Sequence, residues 1–237
     1  MPLITFANTK GGAGKTTAVL LVASDLVRRG QRVTIVDADP RRWISRWLDI
    51  SEEIKGLSVL PACEDDIEDV VAKAKKKGGQ VLIDLPSSHD ALLAKAVGLA
   101  DHVLIPVQGC AMDAAGAAEV LDLLKELDLR CQVKIPHSVV LTRVNAAVTT
   151  RALHAAREFL GELRIPVLAT AITERAAYRD IFDKGGLLHG LKESEVSNVK
   201  KAIENAERLT DEILALVPQK AVRTPSVKKA AAVKKAA

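Results

Sequence analysis

The sequence predicts a doubly wound α/β fold, with a mostly parallel sheet and helices on both faces. Three observations carry this prediction. Short apolar runs alternate with helical patterns along the chain. The first run, Leu3 to Asn8, leads into a glycine-rich turn that opens a helix from Ala18 to Val27. Two later runs end in aspartates, Asp37 and Asp84, which places acids at the strand ends where open α/β sheets bind ligands.

The turn reads Thr9-Lys10-Gly11-Gly12-Ala13-Gly14-Lys15-Thr16-Thr17. Strand, glycine-rich turn and helix in that order make a phosphate cradle. Glycine lets backbone N–H groups face phosphate oxygens, and the new helix adds the positive end of its dipole. Lys15 then reaches the β- and γ-phosphates, and the Thr16 hydroxyl holds Mg²⁺. The string departs from the ordinary G-x-x-x-x-G-K-[ST] pattern, because Thr9 stands where the first glycine belongs and a second lysine, Lys10, follows it. Lys10 lies before the cradle and is not needed for the phosphates that Lys15 serves.

This K-G-G-x-G-K-T-T string resembles the deviant Walker A motif of the ParA/MinD ATPases. The resemblance implies a P-loop NTPase that binds ATP or ADP across residues 10–17 and closes as an ATP-bridged homodimer. In that dimer the leading lysine, Lys10, crosses to the partner's nucleotide.

Taken in order, Val33 to Val36 is the second strand, after a break at Gly30, and it runs into Asp37-Ala38-Asp39-Pro40. This is similar to the family's second acidic motif, which implies that Asp39 helps place Mg²⁺ and the attacking water. Arg41 stands where the family often has glutamine. Trp43 and Trp47, four apart, are expected to pack on one helix face. Arg41, Arg42 and Arg46 read either as solvated or as part of a polyanion-binding surface. Leu57 to Leu60 is a short third strand. Acids from Glu64 to Asp69 open a helix that ends in Lys73 to Lys77, an order that suits the helix dipole and makes the basic run structural.

Gln80 to Ile83 is a buried strand closed by Asp84 and resembles a Walker B strand, which implies a role for Asp84 at Mg²⁺. The following Ser87-Ser88-His89-Asp90 is expected to form a γ-phosphate-sensing loop, with His89 a surface residue at a helix start rather than a general base. Asp101 to Pro106 is a further parallel strand, followed by a helix to about Leu127. The segment from Gly109 to Gly116 resembles the family's dimer-contact block, with Asp113 as either a helix cap or a contact to the other subunit. Val139 to Arg143 ends where relatives meet the adenine base, which implies Thr142 and Arg143 as base contacts. A helix from about Thr149 to Leu160 and a last short strand, Ile165 to Ala169, come next. Ala171 to Tyr178 resembles a stretch of the small ParF-like partition branch. Glu195 to Val217 is expected to be a long amphipathic helix with Val199, Ile203, Ala206, Leu209, Ile213 and Leu216 as its core face.

The division is therefore an ATPase domain over residues 1–217 and a basic tail over 218–237, read as disordered. The tail carries six Lys and Arg and no acid; taking these from the chain's net +4 leaves the body at −2. It lacks the bulky apolar residues of a membrane-surface helix, so phosphate contact is its expected use. Three widely spaced cysteines make no disulfide framework or zinc pattern. No apolar run approaches the ~18 residues of a membrane span, no cleavable signal or N-terminal helix-turn-helix is visible, and a cytoplasmic location is expected, on the nucleoid when ATP is bound.

The resemblance implies a slow, partner-stimulated ATP hydrolase that moves plasmid, chromosomal or protein-cluster cargo. Its expected partners are non-specific double-stranded DNA and a ParB-like or other cargo adaptor. Lys10, Lys15, Asp39 and Asp84 would be catalytic, with Thr16, Asp39 and Asp84 at the metal. Arg151, Arg175, Arg179, Lys200 and Lys201 are the candidate DNA contacts. Only 3% of residues are aromatic, which leaves little to stack single-stranded bases, so duplex backbone is preferred. The competing reading is a MinD-like membrane-associated regulator. A metalloreductase resembling the nitrogenase iron protein lacks its cysteines here, and a small-molecule ligase or kinase lacks a second substrate motif.

Overall fold

The computed structural model describes residues 2–88, 90–108, 111–145, 151–162 and 164–217; the side chains at 111–114, 151–153, 156 and 159 lie outside that description. Six parallel strands form one sheet: β1 (Leu3–Phe6), β2 (Val33–Asp37), β3 (Leu57–Pro61), β4 (Gln80–Asp84), β5 (His102–Gln108) and β6 (His137–Thr142). Their order is β3-β2-β4-β1-β5-β6. β1 thus lies between β4 and β5, and the turn after it opens at the point where the strand order reverses, the crevice where such sheets hold ligands.

Alternation along each strand sorts the core into two layers. Ile4, Phe6, Val33, Ile35, Leu82, Leu104 and Val140 face one side, against α1 (Lys15–Arg28), α2 (Trp43–Asp49), α7 (Ala176–Lys184) and α8 (Val199–Leu216). Leu3, Val36, Val81, Ile83, Val103, Ile105, Val139 and Leu141 face the other, against α3 (Ile67–Lys77), α4 (Ala91–Gly98) and α5 (Ala111–Cys131). α6 (Arg151–Glu162) adds Leu160 to this second layer. In α3 the acids Glu68 and Asp69 occupy the first turn and Lys75, Lys76 and Lys77 the last, as the dipole favours.

Three expectations are corrected. Residues 165–169 do not form a strand; Val167 makes an isolated parallel bridge to Val139. Pro166 has no N–H to give, and the amides of Ala169 and Thr170 turn away to the Glu212 carboxylate, at 2.6 and 2.8 Å. α8 begins at Val199 rather than Glu195, because Asn198 takes a left-handed φ of 58°. Its core face holds Val199, Ala206, Leu209 and Ile213, with Ile203 half-buried, while Leu216 is 44% exposed. The two tryptophans also divide: Trp47 is 2% exposed, whereas Trp43 is 48% exposed with the Arg46 guanidinium 5.7 Å over its ring.

Candidate functional site

The turn between β1 and α1 takes the shape its glycines permit. Gly12 and Gly14 have φ of 80° and 93°, and Gly14 is the N-cap of α1. Gly14 has no side chain to cap α1 and no acid lies in its first turn, which leaves the positive end of the helix suited to an anion. Three outside groups brace the turn from the sheet side. Thr142 donates its hydroxyl to the Ala13 carbonyl at 2.9 Å, and its side chain lies 3.3 Å from where a Cβ on Gly14 would stand. Gln108, at the end of β5, donates to the Gly12 carbonyl. Asn8, at the end of β1, donates to the Pro106 carbonyl at 2.7 Å and accepts the Lys10 N–H at 2.8 Å.

Lys15 is buried, and its ammonium donates to the Asn8 carbonyl (2.8 Å), the Ser87 hydroxyl (2.6 Å) and the Lys10 carbonyl (3.3 Å). Burial lowers its pKa to about 8, with Asp84 and Asp39 pulling the other way. It remains the cation at the floor of the cradle. Lys10 is half-buried at the front, its backbone tied to Asn8 on one side and to Lys15 on the other.

Register places Asp37 beside Asp84 on adjacent strands. Asp84 is fully buried, and neither carboxylate oxygen has a hydrogen-bond partner among the described residues. Burial drives its pKa up to about 7; the nearby Thr16 hydroxyl, short of hydrogen-bond geometry, and Lys15 act against the rise, while Asp37 and Asp39 add to it. Asp39 is half-buried and its Oδ1 accepts the Arg41 N–H at 2.8 Å, an Asx-type turn. Asp37 instead turns to α2, accepting the Ser45 N–H at 2.9 Å and the Ser45 hydroxyl at 2.6 Å.

The donors and acceptors fit a triphosphate and a hard cation. The turn offers amides and a buried ammonium, and Asp84 offers two unmatched oxygens beside the Thr16 side chain. Among the described residues no group of three or more His, Cys, Asp or Glu is placed to hold a metal. A cavity of about 180 Å³ continues from Gly14 and Thr17, walled by Thr142, Arg143, Thr173, Arg175 and Tyr178, among others.

The structure therefore brings together Gly11 to Thr17, Lys10, Asp39, Asp84, Thr142 and Arg143. Arg175 and Arg179 line the same cavity, and Arg179 pairs with Glu174 at 3.4 Å. Lys200 and Lys201 are elsewhere, exposed on the first turn of α8. The side chains of Arg151 and Asp113, together with His89, Gly109, Cys110 and the tail, lie outside the described residues. Sequence reasoning missed Asn8, Gln108 and Asn205, the bond from Lys15 to Ser87, and the packing of Gly116, the end of the dimer-contact segment, on the turn. Only Asn8 left a signal, as a polar residue closing an apolar strand immediately before the turn.

This fold and site define a P-loop nucleotide-binding protein of the ParA/MinD superfamily of ATPases. The chain belongs to the VirC1 protein family, whose profile matches residues 1–221. It is 33% identical over 208 residues to Protein ParA of Rhizobium radiobacter, covering 87% of this chain and 93% of that protein. It is 32% identical over 184 residues to the maintenance of carboxysome distribution protein A of Halothiobacillus neapolitanus, covering 76% and 82%. The structure of a Cyanothece McdA(D38A)–ATP complex shares the fold at a TM-score of 0.72 and 16% identity, over 92% of this chain and 98% of that one. Among the described residues no helix is long and apolar enough to cross a membrane.

Proposed function

We propose that this chain is a ParA-type partition or positioning ATPase that works as an ATP-bridged dimer on DNA. The observation that carries the reading is the division between its two lysines. Lys15 is sunk in the cradle by three hydrogen bonds, and Lys10 is fixed by its backbone at the front. The relatives Protein ParA and maintenance of carboxysome distribution protein A support a positioning role.

Bound ATP would supply the phosphoryl group, and Mg²⁺ would screen phosphate charge. Lys15 and the amides of residues 11–17 hold the phosphates. Thr16, Asp84 and Asp39 hold the cation, and Asp39 orients water. Thr142 and Arg143 bound the base end. Lys10 of each copy reaches the triphosphate held by the other and supplies charge in trans, as an arginine finger does. The closed dimer presents Arg151, Arg175, Arg179, Lys200, Lys201 and the tail to duplex phosphates, a contact that needs no base code. A cargo adaptor accelerates an otherwise slow hydrolysis, and the opened dimer leaves DNA.

The test is sizing with Mg²⁺ and a non-hydrolysable ATP analogue, with DNA shift and anionic-liposome pelleting run alongside. Lys15→Gln should lose nucleotide binding, whereas Lys10→Ala should keep it and lose the dimer. A wild-type protein that stays monomeric, or binds DNA equally without nucleotide, overturns the proposal. ATP-dependent pelleting with liposomes and no DNA shift would make it a membrane-associated regulator instead.

A further inference from the structure

Gly116 lies within α5, where a helix interior ordinarily disfavours glycine. Its surroundings supply the reason. A Cβ built there would stand 2.3 Å from Asn8 Oδ1, 2.8 Å from the Lys10 backbone nitrogen and 2.9 Å from Lys10 Cβ. The Gly116 carbonyl also accepts the Thr9 hydroxyl at 3.3 Å. None of the opposing atoms is the loose end of a flexible chain. Asn8 is buried and clamped by Pro106 and Lys10, and its own carbonyl holds Lys15. A methyl group at 116 must push back either α5 or the backbone of residues 8–10, because a packed interior does not yield locally.

We infer that Gly116 is a positioning residue for Lys10: its missing side chain lets α5 seat against the front of the turn and sets the backbone that carries this lysine. Asn8 is the other half of the device, joining the Lys10 amide to the end of β5. The Asn8 and Lys10 carbonyls also hold Lys15, but the rest of the cradle is braced separately, by Gln108 at Gly12 and Thr142 at Ala13. Seating α5 therefore bears on what Lys10 does more than on whether a nucleotide binds. The inference rests on the trans role proposed for Lys10.

The experiment compares wild type, Lys10→Ala, Gly116→Ala and Asn8→Ala in two measurements. One is the affinity of dilute protein for a fluorescent ATP analogue with Mg²⁺; the other is the dimer dissociation constant by sedimentation with a non-hydrolysable analogue. Gly116→Ala should stay within about twofold of wild type in the first and weaken the second by about tenfold or more. Asn8→Ala adds no bulk and keeps the carbonyl that holds Lys15, so it should lose more of the dimer than of the nucleotide affinity, and it decides the matter if Gly116→Ala does not fold. A Gly116→Ala protein that dimerises like wild type while Lys10→Ala does not refutes the inference alone. So does one that loses nucleotide affinity as far as it loses the dimer. Normal dimers from Lys10→Ala would instead remove the trans reading, and this inference with it.

Discussion

Asp37 and Asp84 are register partners at the ends of β2 and β4, both fully buried, and the fold treats them differently. Asp37 gives one oxygen to the backbone and hydroxyl of Ser45, which satisfies an amide in the first turn of α2 that no local cap reaches. Asp84 has no such partner on either oxygen among the described residues. Asp37 commits one oxygen to structure, whereas Asp84 keeps both open beside Thr16 and is assigned, with Asp39, to the cation in the proposed function.

An unmatched buried carboxylate burdens the ligand-free fold. Asp84→Asn should therefore raise the stability of the nucleotide-free protein by about 1–3 kcal/mol. The same change should abolish the extra thermal stabilisation that Mg²⁺ adds to ATP. Melting curves without ligand, with ATP and chelator, and with ATP and Mg²⁺ measure both effects. An unchanged Mg²⁺ increment would remove Asp84 from the cation site.

The tryptophans make a test of packing. Trp47 belongs to the core layer of α1 and α8, and truncation to alanine should cost about 3–5 kcal/mol. Trp43 touches the Arg46 guanidinium at the surface, and Trp43→Ala should cost under about 1 kcal/mol. Urea titrations of the two variants decide the point. Equal losses would mean that α2 buries both rings.

That pair also marks what the sequence could reveal. The strands were legible because each run is short and largely apolar, with β2 and β4 closed by an acid, and the cradle was legible because its residues are contiguous. Spacing of four places Trp43 and Trp47 on neighbouring positions of a helix, but it does not say how wide the buried stripe is on a helix of seven residues. The false strand at 165–169 has strand-like composition; what breaks it is Glu212, a carboxylate on α8. What Asn8 and Gly116 touch stayed hidden for a similar reason. Their contacts join the turn to β5 and α5, about a hundred residues away, and no local pattern reports a pairing at that separation.

Asn205 shows the same kind of long-range dependence. Its Oδ1 accepts from the Thr173 amide (3.1 Å), the Thr173 hydroxyl (3.0 Å) and the Tyr178 hydroxyl (3.0 Å), and its amide donates to the Ala171 carbonyl at 2.8 Å. Burial pushes the Tyr178 phenol up to about 12, so it stays a proton donor. One α8 side chain thus braces the stretch that walls the cavity beside Gly14. Asn205→Leu leaves several buried groups unmatched and should cost about 3 kcal/mol. With the protein still folded at low temperature, nucleotide affinity should fall as well. Stability loss with unchanged affinity would detach this wall from the nucleotide.

His102 gives the pH dependence. It is buried at the start of β5; Nε2 pairs with the Ser138 hydroxyl at 3.1 Å, and Nδ1 has no partner among the described residues. Burial, with His137 nearby, lowers its pKa to about 4. Because the folded value lies below the ordinary 6.5, the unfolded chain takes up the proton first as pH falls. The stabilisation is complete above about pH 6.5 and is lost as pH drops toward 4, by up to about 3 kcal/mol. His102→Asn keeps a polar group of similar reach but cannot titrate. Between pH 8 and pH 5 the wild type should lose about 2 kcal/mol more than the variant in urea unfolding. Parallel losses in the two proteins would show that His102 is protonated in the fold as easily as outside it, against the burial that the structure gives it.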